Sequence, residues 1–275
     1  MTAWVRRCAV SVAPEPREIF QRTREEGKRR LTRSRLELSS TALVAGFDVV
    51  FGIVALATVT HAAAARFGED FGHLLGSLAF GIAFVFIVVG RSELFTENFL
   101  VPVTALRQGD ISPRKLAELW VLSPIFNLVG GIALVLVVSV PGVLPSGSGA
   151  ALVPIAESFD DNSALTAFLS AIAGGALITV MTWLVEGVGT IGGRIVCAWI
   201  GGAVLTLGMF NHVIVVTLEM VMGIRFGADV GGLDVVQNFW IAAAGNMVGG
   251  LLYVTLTRTG QALGASDADE KDLSV

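Results

Sequence analysis

The sequence predicts an all-α integral membrane protein, with six transmembrane helices in two inverted three-helix repeats and the second and fifth helices broken part-way. Three observations carry this. The 275 residues are 53% hydrophobic and 15% charged, with a mean hydropathy of +0.73, whereas a soluble domain usually carries about 25% charged residues. Six apolar segments, at 39–62, 71–90, 116–140, 164–185, 195–222 and 236–257, reach or approach the ~20 residues that cross ~30 Å of hydrocarbon. A short motif in the third segment recurs in the sixth. A soluble enzyme, a nucleic-acid binder and a secreted disulfide scaffold are thereby excluded. The 32 glycines follow no collagen period and suggest close helix packing. Cys8 and Cys197 are too few and too far apart for a metal site or a disulfide framework, so no metal or cofactor is expected.

Residues 1–38 form a basic N-terminal segment holding Arg6, Arg7, Arg17, Arg22, Arg24, Lys28, Arg29, Arg30, Arg33 and Arg35, ten of the nineteen basic residues. No apolar core follows the first of them closely, so the segment does not read as a cleavable signal peptide. Residues 15–38 predict a charged, partly amphipathic helix on the inner membrane surface, or else a solvated basic tail. With this segment inside, the cytoplasmic side also collects Arg107, Arg114, Lys115, Arg194, Arg258 and Lys271, sixteen basic residues against Arg66 and Arg225 outside. That asymmetry puts both termini in the cytoplasm of a multi-pass inner-membrane protein. The membrane domain then spans 39–258, and residues 259–275 make an acidic cytoplasmic tail expected to be disordered.

Along the membrane domain, the first segment carries Asp48. The second is followed, after Gly90, by RSELFTENF and an apolar continuation from Leu100 to Leu106. The fourth and its flanks hold no basic residue between Lys115 and Arg194. The fifth is too long for one span and carries Asn211 and His212 near its middle. Irregular backbone at membrane depth survives only where protein or a watery cavity satisfies it, so both breaks point to a pathway. Asn127-Leu128-Val129-Gly130-Gly131 matches Asn246-Met247-Val248-Gly249-Gly250, 119 positions later, and the same offset carries Glu93 onto His212. Three spans per half invert the second half, a plan shared by transporters with midplane sites. Glu186 and Glu219, near span ends, read as solvated or interfacial, as do His61 and His73 beside the first external loop.

Gly90-Arg91-Ser92-Glu93-Leu94-Phe95-Thr96-Glu97-Asn98 resembles the G-A-E/D-L-F-T-x-N signature of the formate/nitrite transporter family. Gly208-Met209-Phe210-Asn211-His212 is similar to its pore-histidine motif, and Gly245-Asn246-Met247-Val248-Gly249-Gly250 to its last-helix motif. The resemblance covers about residues 40–258. It implies an aquaporin-like fold, a homopentamer in the lipid bilayer, and a pore in each protomer for a small monovalent anion or its conjugate acid. It places Thr96 opposite His212, and apolar constrictions at Phe80 and Leu205 outside and at Phe84, Leu94 and Phe95 inside.

The residue chemistry is consistent. An ionisable group in an apolar span is expensive and usually functional, and a histidine trades a proton near neutrality. A shared proton would remove the desolvation penalty of an anion in an apolar constriction. A threonine hydroxyl donates to an anion while accepting elsewhere, and half-helix N-termini favour anions without a fixed charge. Asn127 and Asn246, with Gly130, Gly131, Gly249 and Gly250, read as packing residues that bond across to the breaks.

Departures from the family pattern are Arg91 at a usually small position, Glu97 in the first break, Asp48, and Gly175 where an asparagine is common. Arg91 either pairs with Glu93, Glu97 or Asp48 in a buried network or lines the inner mouth and recruits anions. Two other functions stay open: a non-conducting membrane sensor or assembly subunit, and a neutral-solute pore, against which the lack of an Asn-Pro-Ala pair argues. No nucleophile–base pair, metal cluster or phosphate loop marks the spans as an enzyme.

Overall fold

The computed structural model describes residues 13–106 and 112–272, with side chains through residue 264. Arg6, Arg7, Cys8, Arg107 and the last three residues lie outside the described residues, which are helical throughout their regular structure. Helix α1 (Pro16–Leu31) precedes α2 (Arg35–Phe67), whose start is capped by Ser34 accepting the Glu37 N–H at 3.2 Å. The second crossing is α3 (Glu69–Phe80) and α4 (Ile82–Gly90), followed by a 3-10 turn at Phe95–Phe99 and α5 (Val101–Leu106). The third is α6 (Pro113–Val138); a short outer helix α7 (Val153–Asp160) leads into the fourth, α8 (Ala164–Gly187).

The fifth crossing is split into α9 (Ile191–Leu207) and α10 (Val213–Arg225). Among the described residues, five helices are therefore long and apolar enough to cross a membrane alone, and the fifth crossing joins two short ones. The last crossing starts as α11 (Gly232–Met247), widens into a π-helical stretch at Val248–Thr255, and continues as α12 (Leu256–Asp272). The tail predicted to be disordered is thus helical to Asp272. Its alanines, glutamate and lysine are good helix formers, and propensity there outweighs polarity.

The two halves share one packing plan. Helix α2 packs along α6 as α8 packs along α11. At each seam a glycine admits the neighbouring backbone: a Cβ on Gly130 would land on the Leu43 carbonyl oxygen, and one on Gly249 on that of Ile172. Gly46 and Gly175 complete the seams, since Cβ atoms there would strike the backbones of Asn127 and Asn246. The asparagine common in the family at Gly175 has no room in this packing.

Helix α1 differs from the sequence expectation. It packs on the protein itself, against α5, α8 and α12. Thr23, Gly27 and Leu31 form its buried stripe, and Gly27 is small enough to sit on the Val101 carbonyl. Packing at the two seams predicts that Gly130→Ala and Gly249→Ala each lose about 1–3 kcal/mol of stability, read as thermal melting in detergent. Gly260→Ala, which meets open space, leaves melting unchanged.

Candidate functional site

Both broken helices end on a left-handed residue, Arg91 (φ 58°) after α4 and Met209 (φ 49°) after α9, the two non-glycine residues with positive φ among those described. Beyond each, an asparagine from the seam of the same half brackets the irregular backbone. Asn127 donates from Nδ2 to the carbonyls of Ala42 (2.7 Å) and Glu93 (2.8 Å), and its Oδ1 accepts the Phe95 N–H (3.0 Å). Asn246 donates to the carbonyls of Ala171 (2.7 Å) and Asn211 (2.9 Å) and accepts the Val213 N–H (2.9 Å). Glu93 therefore corresponds to Asn211, and Phe95 to Val213. The residue that matches His212 is Leu94, not Glu93: the breaks sit one position off the register of the asparagine motifs.

Between the brackets, His212 and Thr96 meet. Both are fully buried, with Thr96 Oγ1 2.6 Å from His212 Nε2. His212 is also the N-cap of α10, where its Nδ1 accepts the Val215 N–H at 3.3 Å. An accepting Nδ1 carries no hydrogen, so Nε2 holds the proton and donates it to Thr96 Oγ1. The threonine's own hydroxyl hydrogen is left for a third group. Phe84 stands edge-on to the imidazole, centroids 6.2 Å apart, and Phe80 stacks at an angle on Phe84, also at 6.2 Å. Leu94, Phe95 and Leu205 are buried in the same core. Asn211 points elsewhere: its Nδ2 donates to Asn238 Oδ1 (2.8 Å), tying the break to α11. Two N–H groups at the start of α10, those of Val213 and Val215, are taken by Asn246 and His212 rather than left free.

At the inner mouth, Glu93 and Glu97 are buried and paired, but not with Arg91. Arg30 of α1 reaches Glu93 Oε1 (3.1 Å), Glu97 Oε2 (3.2 Å) and Asn98 Oδ1 (3.4 Å), and Arg33 also pairs with Glu93. Asp48 accepts the Ser92 hydroxyl at 2.6 Å instead of joining the network. Arg91, on its left-handed backbone, swings outward to 63% exposure and only touches Glu26 at 3.5 Å. Burial alone would push the Glu26 carboxyl up. Hydrogen bonds from Arg29 and Arg30, with their charges, override it and hold Glu26 at about 2. An inner cavity is lined by Arg29, Arg30, Arg91, Arg194, Glu97 and Glu186. Glu186 is thus a buried cavity residue rather than a solvated span end.

Toward the outside, a wide cavity is lined by His61, Glu69, Asp70 and His73, and a narrower one by His73, Leu205, Val215 and Glu219. The candidate site lies between the inner and outer cavities. Among the described residues, no group of three or more His, Cys, Asp or Glu could hold a metal ion.

A family model described as formate/nitrite transporter matches residues 17–259. The chain belongs to the formate/nitrite transporter family. It is accordingly a membrane-embedded channel or transporter, not an enzyme. It is similar to the inner membrane protein YfdC of Escherichia coli, 25% identical over 242 residues that cover 86% of this chain and 76% of that one. The formate channel BtFdhC of Bacillus thuringiensis is 23% identical over 241 residues, 87% of this chain and 92% of that protein. A pentameric formate channel with formate bound has the same fold, with a TM-score of 0.68 at 23% identity over 80% of this chain and 94% of that one. An FNT family ion channel gives 0.74 at 17% identity over 87% and 96%.

Sequence reading of this formate/nitrite transporter family member missed Arg30 and Arg33 as the partners of the break. Their signal was the spacing of Glu26, Arg30 and Arg33, which lie at helical intervals and face one way. Removing one partner of a buried ion pair usually costs about 3–5 kcal/mol, so Arg30→Ala should lower melting sharply and Arg30→Ala with Glu97→Gln should recover part of it. The Glu26 contribution has the sign of a depressed carboxylate. It is complete above the ordinary value of 4.5 and lost as pH falls toward 2. Protection of α1 from limited proteolysis should hold from pH 8 to 5 and weaken only below about pH 4.

Proposed function

We propose that this protein is a homopentameric inner-membrane channel or transporter for a small monovalent anion, formate or nitrite, or the conjugate weak acid. The membrane domain at 39–258 forms the pathway, with both termini cytoplasmic. The observation that carries the reading is the buried Thr96–His212 pair at 2.6 Å. With Nε2–H donated to Thr96 Oγ1, the threonine hydroxyl hydrogen is free to meet a carboxylate or nitrite oxygen, and the imidazole proton stands one bond behind it. A small anion in this apolar position faces a large desolvation penalty, which a hydrogen bond reduces and a shared proton removes.

Phe80 and Leu205 outside, and Phe84, Leu94 and Phe95 inside, act as dewetted constrictions that reject hydrated ions. Asn211, Asn127, Asn246 and the paired glycines hold the breaks in place. Two relatives, a formate channel and a pentameric formate channel with formate bound, support the substrate class and the assembly.

One observation favours a second reading. Arg30 and Arg33 fasten α1 beneath the first break, as a non-conducting sensor or assembly subunit would require. Flux separates the two. In proteoliposomes with an imposed pH gradient, wild-type protein should carry formate and nitrite, following the gradient if the proton travels with the anion. His212→Phe should abolish the flux. Thr96→Val, which removes one hydrogen bond to a charged group worth about 1.5–3 kcal/mol, should cut it at least tenfold. No flux in the wild type would favour the second reading, and equal flux of glycerol would favour a neutral-solute pore.

A further inference from the structure

Glu219 is the buried acid that this pathway leaves unexplained. The sequence places it near a span end. The break at His212 restarts the helix at mid-membrane, so Glu219 falls seven residues, two helical turns, beyond the imidazole on the same face of α10, about 10 Å further out. It is 3% exposed, and among the described residues no group hydrogen-bonds or pairs with its carboxyl. It lines the narrow outer cavity together with Leu205, the expected outer constriction, and Val215, which stands between it and His212 on α10.

The groups facing that cavity are apolar apart from Thr206, whose hydroxyl donates back to carbonyls of α9, and one titratable residue. Leu56 comes from α2, Ile155 and Phe159 from α7, and Met209 and Phe210 from the break. That residue is His73 from α3, which lines both this cavity and the wide outer one and has its Nε2 3.4 Å from the Leu207 carbonyl oxygen. On the other helices packed against α10, Asp48 and Glu37 of α2 meet Ser92 and Arg33, Glu118 of α6 pairs with Arg35, and Glu157 of α7 accepts the Asp229 N–H at 3.1 Å, while Asp160 and Asp234 line a separate cavity with Asn238. An intramembrane carboxyl with no counter-charge, open to a cavity on the pathway, calls for a function. As a carboxylate it would repel the permeant anion; as an acid it offers an O–H donor ahead of the constriction.

We propose that Glu219 is the outer proton donor of the pathway, with His73 as its link to the outside. The inference rests on the channel reading above. An entering weak-acid anion takes the proton of the Glu219 carboxyl. The Glu219 O–H bond breaks, the anion's oxygen gains the hydrogen, and the neutral acid passes Leu205 and Phe80 to His212. The Glu219 carboxylate left behind is reprotonated from external water through His73. One anion and one proton enter per cycle.

The test is formate uptake into proteoliposomes over a series of external pH values, for wild type, Glu219→Gln, Glu219→Asp, His73→Ala and His212→Phe. Glu219→Gln keeps shape and a hydrogen-bond donor but cannot release a proton. It should lose at least about tenfold of the flux at neutral external pH and flatten the pH profile. Glu219→Asp should retain the profile, and His73→Ala should slow uptake severalfold with the proton dependence displaced. If Glu219→Gln fails to assemble, the infrared carboxyl band of protonated Glu219 in the wild type, and its loss in Glu219→Asp spectra shifted to aspartic acid, decides the protonation directly. Wild-type rate and profile in Glu219→Gln, with His212→Phe inactive, would overturn the role of Glu219 alone. Full activity in His212→Phe, or no uptake in the wild type, would overturn the channel reading and this inference with it.

Discussion

Two asparagine side chains set the geometry on which everything else in the membrane domain depends. A helix interrupted at mid-membrane exposes peptide groups that no water can satisfy, each costing several kcal/mol. Asn127 and Asn246 each close two such groups, one carbonyl and one N–H, and tie them to a carbonyl of the neighbouring helix, in bonds of 2.7 to 3.0 Å. The glycine pairs follow from this. An asparagine amide reaches two backbones at once only where helix axes are close, and Gly46, Gly130, Gly175 and Gly249 allow that approach. Thr96 and His212 then meet because His212 sits inside one bracketed turn and Thr96 just past the other.

Charge is handled differently on the two sides of the Thr96–His212 pair. At the inner mouth Glu93 and Glu97 are buried, but Arg30 and Arg33 neutralise them, so the pairs act as structure and hold α1 in place. Breaking such a pair is costly even where forming it gains little. In the outer half no cation accompanies Glu219 among the described residues. The exposed arginines Arg91 and Arg194 remain at the inner cavity, where they give its rim positive charge without entering the ion-paired core.

The fold was largely legible in the sequence because lipid imposes a length and a polarity on every span, and the repeated asparagine–glycine motifs mark the seams. The Thr96–His212 meeting was read only through family resemblance; no local spacing brings residues so distant in sequence to 2.6 Å. The charge network went astray for a physical reason. Arg91 is the nearest cation to Glu93 along the chain, yet a left-handed backbone turns it outward, while Arg30 at the end of α1 and Arg33 in the turn after it reach Glu93 from 63 and 60 residues earlier. Glu219 was misplaced because the apolar segment ends at 222, which puts the residue near a span end. Helix α10 runs on to Arg225, and packing around it leaves Glu219 buried. The one-position shift between the breaks and the asparagine register, which aligns Leu94 with His212, has no trace in the motif match.

The central claim is that His212 holds its proton on Nε2, toward Thr96, ready to serve a passing anion through the threonine hydroxyl. With 3 histidines in the chain, solid-state nitrogen NMR of histidine-labelled protein in lipid tests this directly, with His212→Phe assigning the signal. The account predicts the Nε2–H tautomer for His212 at neutral pH, and a shift of that nitrogen when formate is added that disappears in Thr96→Val. An Nδ1–H tautomer, or a His212 signal indifferent to formate in a conducting protein, would contradict it.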